Sequence, residues 1–293
     1  MEIPVINLDE LDGEKRGKTM SLLHEACEKW GFFWLDNHGI DEGLMEKVKE
    51  AVNQHYEMSM KESFYNSEMA KALGPKTNAS DVDWESSFFY RHQPDCNFDD
   101  VPSLVRKPLQ EFVEQQAKLA EKLSELLSEN LGLEKNHLKN AFSDPFIGTK
   151  VAKYPKCSKP EHVMGLRGHT DAGGIILLLQ DDKVPGLEFM KDGEWLPIPP
   201  TEGHKIFVNL GDQVEVVSNG IYKSVRHRVL ADKDGSRLSI ATFYNPGADA
   251  IISPAPKLVY PSRYRFQDYL NYYTTVKFSD KAARFRTIKQ MFV

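Results

Sequence analysis

The chain has 293 residues, of which 41% are apolar and 27% charged, proportions of a folded globular protein with enough length to bury a sizeable core. Its formal charge of −6 speaks against binding nucleic acid by bulk electrostatics. No apolar run reaches the roughly 18 residues of a membrane span, and the opening MEIPVINL has none of the marks of a secretory leader. Cys27, Cys96 and Cys157 are odd in number and far apart, which disfavours a disulfide framework or a cysteine zinc site and points to a reducing cytoplasm.

The apolar pattern predicts a short strand over residues 3–8 and a helix over 13–30, where Met20, Leu23, Ala26, Cys27 and Trp30 recur at helical spacing. A compact aromatic run at 31–35 suits a buried strand, and a second helix is expected over 42–56. Residues 70–105 read as loop, interrupted by the aromatic segment 83–90. The clearest helix follows, with an apolar stripe from Leu109 to Leu127 and Gly132 placed to cap its end.

After residue 147 the chain reads as short strands at roughly ten-residue spacing, as in an antiparallel sandwich or barrel. Asp192-Gly193, Asn219-Gly220 and Asp234-Gly235 each lie between apolar stretches and predict hairpin turns, because these residues tolerate positive φ. The tail from 265 returns to helical spacing. The expected divisions are a helical N-terminal region with few strands over 1–105, a long helix and connector over 106–146, a strand-rich core over 147–250 and a helical tail over 251–293.

His169 and Asp171 share one face if the chain there is extended. His227, on a later strand, can supply a third ligand. Two histidines and a carboxylate on one face of an octahedral ion leave three open positions, the arrangement that suits non-haem Fe(II). His-x-Asp alone is a weak signal, and a lone histidine is more often structural. Arg237 and Ser239 strengthen it: a guanidinium and a hydroxyl two residues apart on an apolar strand form a fork for a carboxylate or carbonate group.

Trp30-Gly31-Phe32-Phe33, Asn37-His38-Gly39-Ile40, His169-Thr170-Asp171, Asn209-Leu210-Gly211-Asp212, Ser218-Asn219-Gly220, Lys223-Ser224, His227-Arg228-Val229 and Arg237-Leu238-Ser239 resemble the plant Fe(II)- and 2-oxoglutarate-dependent dioxygenase superfamily. Residues 83–89, Gly148-Thr149-Lys150-Val151, Gly165-Leu166-Arg167, Ala172-Gly173-Gly174-Ile175-Ile176 and Phe243-Tyr244-Asn245-Pro246-Gly247 narrow the resemblance to the 1-aminocyclopropane-1-carboxylate oxidase family. It implies a mainly β fold with flanking helices. The core would be a distorted double-stranded β-helix, or jelly roll, between a helical N-terminal region and a C-terminal helix.

The resemblance further implies an enzyme that takes a small amino acid and dioxygen; a monomer is expected, and the absence of a basic stripe with interleaved aromatics or a basic amphipathic anchor speaks against a nucleic-acid or membrane partner. Fe(II) would be the cofactor, ascorbate the co-substrate, carbon dioxide or bicarbonate the activator, and ethylene the product. His169, Asp171 and His227 would hold the iron. Lys150, Arg167, Arg237 and Ser239 would be catalytic, and Tyr154, Gln180, Asn209 and Phe243 would line the pocket. For these last four a packed or hydrogen-bonded core role is as good a reading as direct contact. Arg284 would take part in closure by the tail, where the family's Glu-Pro-Arg-Phe stands here as Ala282-Ala283-Arg284-Phe285. Two other readings fit the same residues: a 2-oxoglutarate-dependent hydroxylase or desaturase of another small molecule, and a non-catalytic binding protein.

Overall fold

The structure is a computed structural model that describes residues 2–73, 82–255, 264–278 and 281. β1 (Val5–Asn7) leads into α1 (Arg16–Glu25), which continues as a π-helical turn over Ala26–Trp30. The expected single helix therefore changes its hydrogen bonding part-way. It stops at Gly31, whose φ of +76° is left-handed and whose missing Cβ would lie 2.4 Å from the Lys223 carbonyl oxygen. β2 (Phe32–Asp36) and α2 (Glu42–His55) follow, the helix capped by Asp41, whose carboxylate accepts from the Leu44 N–H at 2.7 Å. Beyond α3 (Lys61–Asn66) and α4 (Glu68–Lys71), the aromatic segment becomes β3 (Ser86–Gln93), an edge strand.

α5 (Ser103–Asn130) buries the stripe Leu109, Phe112, Val113, Leu119, Ala120, Leu123, Leu126 and Leu127, and Gly132 follows it with φ +69°. After α6 (His137–Ala141) come β4 (Phe146–Tyr154), β5 (Leu166–His169), β6 (Ile175–Gln180), β7 (Leu187–Lys191), β8 (Glu194–Pro197) and β9 (Ile206–Leu210). α7 (Asp212–Val217), β10 (His227–Val229), β11 (Arg237–Asn245), β12 (Ile251–Ile252), β13 (Tyr264–Arg265) and α8 (Phe266–Val276) complete the described chain. No described helix is long and apolar enough to cross a membrane.

The described strands form a seven-stranded sheet, ordered β1-β2-β9-β6-β11-β4-β3, a four-stranded sheet, ordered β5-β10-β7-β8, and a two-stranded pair, β12-β13. The period of two along each strand divides their side chains. On β11, Leu238, Ile240 and Tyr244 join the helix-side core with α5, while Arg237, Ser239, Ala241 and Phe243 face the space between the sheets. On β6, Ile175, Leu177 and Leu179 face the helices, and Ile176 and Leu178 face inward. This is the expected jelly roll with flanking helices.

Only one of the three expected hairpins forms. Asp192 and Gly193 have φ of +53° and +88° and join β7 to β8, which pair antiparallel. Asn219 and Gly220 are also left-handed, but they terminate the helix α7. The apolar stretch before them, which a hairpin would make a strand, is instead part of this short helix, whose residues are all buried, so alternation could not mark it. Asp234-Gly235 joins strands in different sheets: β10 pairs with β5 and β7, and β11 with β4 and β6.

Candidate active site

The three proposed ligands meet at the rim of the space between the sheets. His169 ends β5 and His227 begins β10, and the two are direct partners in the antiparallel ladder. Asp171 follows two residues past His169. His169 Nε2 lies 3.8 Å from Asp171 Oδ1, and His227 Nε2 lies 3.6 Å from Asp171 Oδ2. All three residues are buried, and their ligand atoms lie within 4.8 Å of one another, the one such group among the described residues.

The hydrogen bonds behind the ligands set their chemistry. His169 Nδ1 donates to the Arg167 carbonyl at 2.8 Å, and His227 Nδ1 donates to the Val225 carbonyl at 3.2 Å. A carbonyl only accepts, so each Nδ1 carries a proton, which leaves Nε2 as the nitrogen that would ligate a metal. Burial, then the neighbouring His227 and Lys277, push the His169 pKa well below the ordinary histidine value, which favours the neutral ligating form. Asn209 Nδ2 donates to Asp171 Oδ2 at 2.8 Å. Phe189 stacks on the His227 ring with centroids 4.7 Å apart. Two imidazoles and one oriented carboxylate are a donor set that fits a first-row divalent ion such as Fe(II).

The cavity in front of the triad measures about 70 Å³. Nine of the residues expected from the sequence line it: His169, Asp171, His227, Lys150, Tyr154, Asn209, Arg237, Ser239 and Phe243. Its remaining wall is apolar, with Leu166, Ile176, Leu178, Leu187, Phe189, Val229 and Ala241. Arg237 is 2% exposed and donates through Nη2 to Gln180 Oε1 at 2.7 Å. Its Nη1 is buried with no hydrogen-bond partner, and burial pulls the guanidinium pKa down. A buried unpaired N–H is costly, and an anionic ligand reaching this atom would relieve that cost.

Gln180 lies behind Arg237 rather than on the cavity wall, donating to the Pro199 carbonyl at 2.7 Å. Arg167 also stands outside the lining. Its Nε and Nη2 donate to the two Asp83 oxygens at 2.9 and 3.0 Å, and its guanidinium sits 3.9 Å over the Phe278 ring. Lys150 faces the cavity and donates to both Glu85 oxygens at 2.6 and 2.7 Å. Arg284 lies outside the described residues.

Sequence reasoning missed Asp83 and Glu85, the acids that pair with the two expected cations. Their i, i+2 spacing was visible, but the aromatic content of 83–90 drew the reading toward packing. It also missed Lys277 at the end of α8, which burial and the charge of Lys150 pull below the ordinary lysine value while Asp171 and Glu85 oppose that shift. Nothing in the helical pattern of the tail marks it.

Comparison with known proteins agrees with this geometry. Residues 3–112 match the N-terminal region described as non-haem dioxygenase in morphine synthesis, and residues 143–246 match the 2OG-Fe(II) oxygenase superfamily. 1-Aminocyclopropane-1-carboxylate oxidase 1 of Arabidopsis thaliana is 63% identical over 99% of this chain and 96% of its own length. The chain belongs to the 1-aminocyclopropane-1-carboxylate oxidase family. The Persea americana oxidase of that name is 50% identical over 98% of this chain and 94% of its own. Among solved structures, JOX2 in complex with 2OG, Fe and JA superposes with a TM-score of 0.80 at 34% identity, covering 96% of this chain and 86% of its own. The rice dioxygenase for auxin oxidation gives 0.80 at 25% identity, covering 97% and 99%. Family membership makes the chain an Fe(II)-dependent oxidoreductase, and the triad is where its residues can hold that iron.

Proposed function

We propose that this protein oxidises 1-aminocyclopropane-1-carboxylate to ethylene, carbon dioxide and cyanide, with ascorbate as electron donor and carbon dioxide or bicarbonate as activator. The observation that carries the reading is the pairing of a complete His-Asp-His triad with close identity to family members over nearly the whole chain. The balance closes: substrate and ascorbate each give up two electrons, and dioxygen takes up the four and leaves as two waters.

Iron bound at the triad would supply the open positions at which a small amino acid and dioxygen meet. The protein's own residues do the rest. Asn209 holds the Asp171 carboxylate in place. The apolar wall of Leu178, Leu187, Phe189 and Val229 excludes water and strengthens every charge interaction inside. The charged groups in the cavity lining, Lys150 and Arg237, suit a small amino acid better than an apolar ring system. Arg237, with its spare Nη1, and Ser239 form the seat for bicarbonate or ascorbate. Lys150 adds a positive charge on the adjacent strand β4, oriented by Glu85. Arg167, clamped by Asp83, would act by shaping the ligand strand, whose His169 bonds its carbonyl. A monomeric enzyme of the cytoplasm is our reading of its setting, in keeping with the scattered cysteines.

The same Arg237-Ser239 fork would hold the distal carboxylate of 2-oxoglutarate in a hydroxylase. Replacing ascorbate with 2-oxoglutarate separates the two readings. Ethylene formation should fail, and no succinate should accumulate in step with substrate loss. Stoichiometric succinate would instead support the hydroxylase.

A further inference from the structure

Asp212 is fully buried at the start of α7 and does not line the cavity. Its carboxylate accepts from Ser224 Oγ at 2.7 Å, from Thr170 Oγ1 at 3.3 Å and from the Tyr269 hydroxyl. Its backbone N–H donates to the Asp171 carbonyl at 2.8 Å. These partners come from different parts of the chain. Thr170 stands between His169 and Asp171, Ser224 lies three residues before His227, and Tyr269 is on α8. One turn further along α8, the Tyr273 hydroxyl donates to the Thr170 carbonyl at 2.5 Å.

We propose that Asp212, with Tyr269 and Tyr273, is the positioning network that sets the separation of the three metal ligands and couples the metal site to α8. The strand ladder alone cannot do this. It fixes His169 opposite His227, but Asp171 lies beyond the end of β5, and β10 is only three residues long. One buried carboxylate ties the segment carrying His169 and Asp171 to the segment carrying His227. Hydrogen bonds to an anionic acceptor in a low-dielectric interior are short and strong, so the junction resists spreading. Outer partners of this kind commonly cost ten- to a hundredfold in metal affinity when removed. The coupling is reciprocal, so a bound ion must in turn hold α8 in place.

The proposal rests on the metal assignment and not on the identity of the substrate. The test uses the full chain and its Tyr269→Phe, Tyr273→Phe and Asp212→Asn variants. Fe(II) affinity is measured without oxygen, the visible spectrum is recorded with Co(II) as the probe ion, and amide exchange of α8 is followed with and without Co(II). Tyr222→Phe is the control: it loses a buried hydroxyl contact to His24 Nδ1 at 3.1 Å, away from the triad. We expect the two α8 tyrosine variants to weaken Fe(II) binding about tenfold, to change the cobalt bands and to reduce the metal-induced protection of α8. Tyr222→Phe should keep the wild-type affinity and spectrum. Wild-type affinity and spectrum in both α8 tyrosine variants would overturn the proposal, whatever the folding of Asp212→Asn. A wild-type chain that bound no cobalt would overturn the triad and this network together.

Discussion

His227 stands directly opposite His169 in the β5–β10 ladder, with ring centroids 4.4 Å apart. Two residues 58 positions apart are thus placed side by side by backbone pairing, and each is turned by an Nδ1 bond to a carbonyl. Replacing either histidine or Asp171 with alanine should abolish turnover. The thermal stabilisation that Fe(II) gives the wild-type chain should disappear with it, since an ion bound only by the folded state raises Tm by mass action. A His169→Ala chain that kept near-normal iron-dependent rates would remove this residue from the triad.

Arg237 divides the labour differently. It lines the cavity together with the triad, and its Nη1 is buried with no hydrogen-bond partner. Arg237→Ala should bind Fe(II) as the wild type does and lose its response to bicarbonate or ascorbate. Charged hydrogen bonds are worth about 1.5–3 kcal/mol, so activity should fall roughly ten- to a hundredfold. The check is an iron titration beside a bicarbonate dose-response. Loss of iron binding in this variant would show that the arginine instead supports the metal site.

The lowered pKa of His169 has a sign that can be followed in solution. In the folded protein, burial first and then His227 and Lys277 favour the neutral ring. The unfolded chain takes up this proton near about pH 6.5. Below that point the unfolded state binds more protons, so stability falls as pH falls through the interval between the two pKa values. Metal binding adds to the same trend, because only the neutral imidazole ligates. Both the Tm of the metal-free chain and the Fe(II)-induced rise in Tm should decline between about pH 7.5 and 5.5. A flat profile would contradict the assignment.

Gly211 tests how tightly the metal loop is packed. A Cβ there would sit 2.4 Å from the Gly173 carbonyl oxygen and 3.1 Å from that of Asp171. Both contacts are backbone and cannot rotate away. Gly211→Ala should destabilise the fold by about 1–3 kcal/mol through overpacking and weaken metal binding by displacing the segment that carries Asp171. Denaturant unfolding and iron titration would read the two effects separately. An alanine variant with wild-type stability and affinity would show that the loop can shift freely.

Much of this was legible in the residues because the chemistry and the periodicity agreed. The His-x-Asp pair, the later histidine and the Arg-x-Ser fork announced a ligand set and an anion seat. The alternation of β11 placed the fork on the same side as the triad. The apolar stripe of α5 was visible for the same reason: one face packs on a sheet and the other meets water. Asn219-Gly220 misled because left-handed residues close helices as readily as hairpins, and α7 is buried all round, its Asp212, Gln213 and Glu215 included, so no solvent-facing side reveals its period. The partners that orient the site, Asp83, Glu85 and Asp212, stayed hidden because their role depends on which distant side chain the fold brings to each.

Headspace ethylene from the purified chain is the measurement that tests the central claim most directly. The assay supplies 1-aminocyclopropane-1-carboxylate, dioxygen, Fe(II), ascorbate and bicarbonate, with each component omitted in turn. The account predicts ethylene from the complete mixture, none without iron or in Asp171→Ala, and sharp losses without ascorbate or bicarbonate. No ethylene from a chain shown to hold iron at the triad would contradict it.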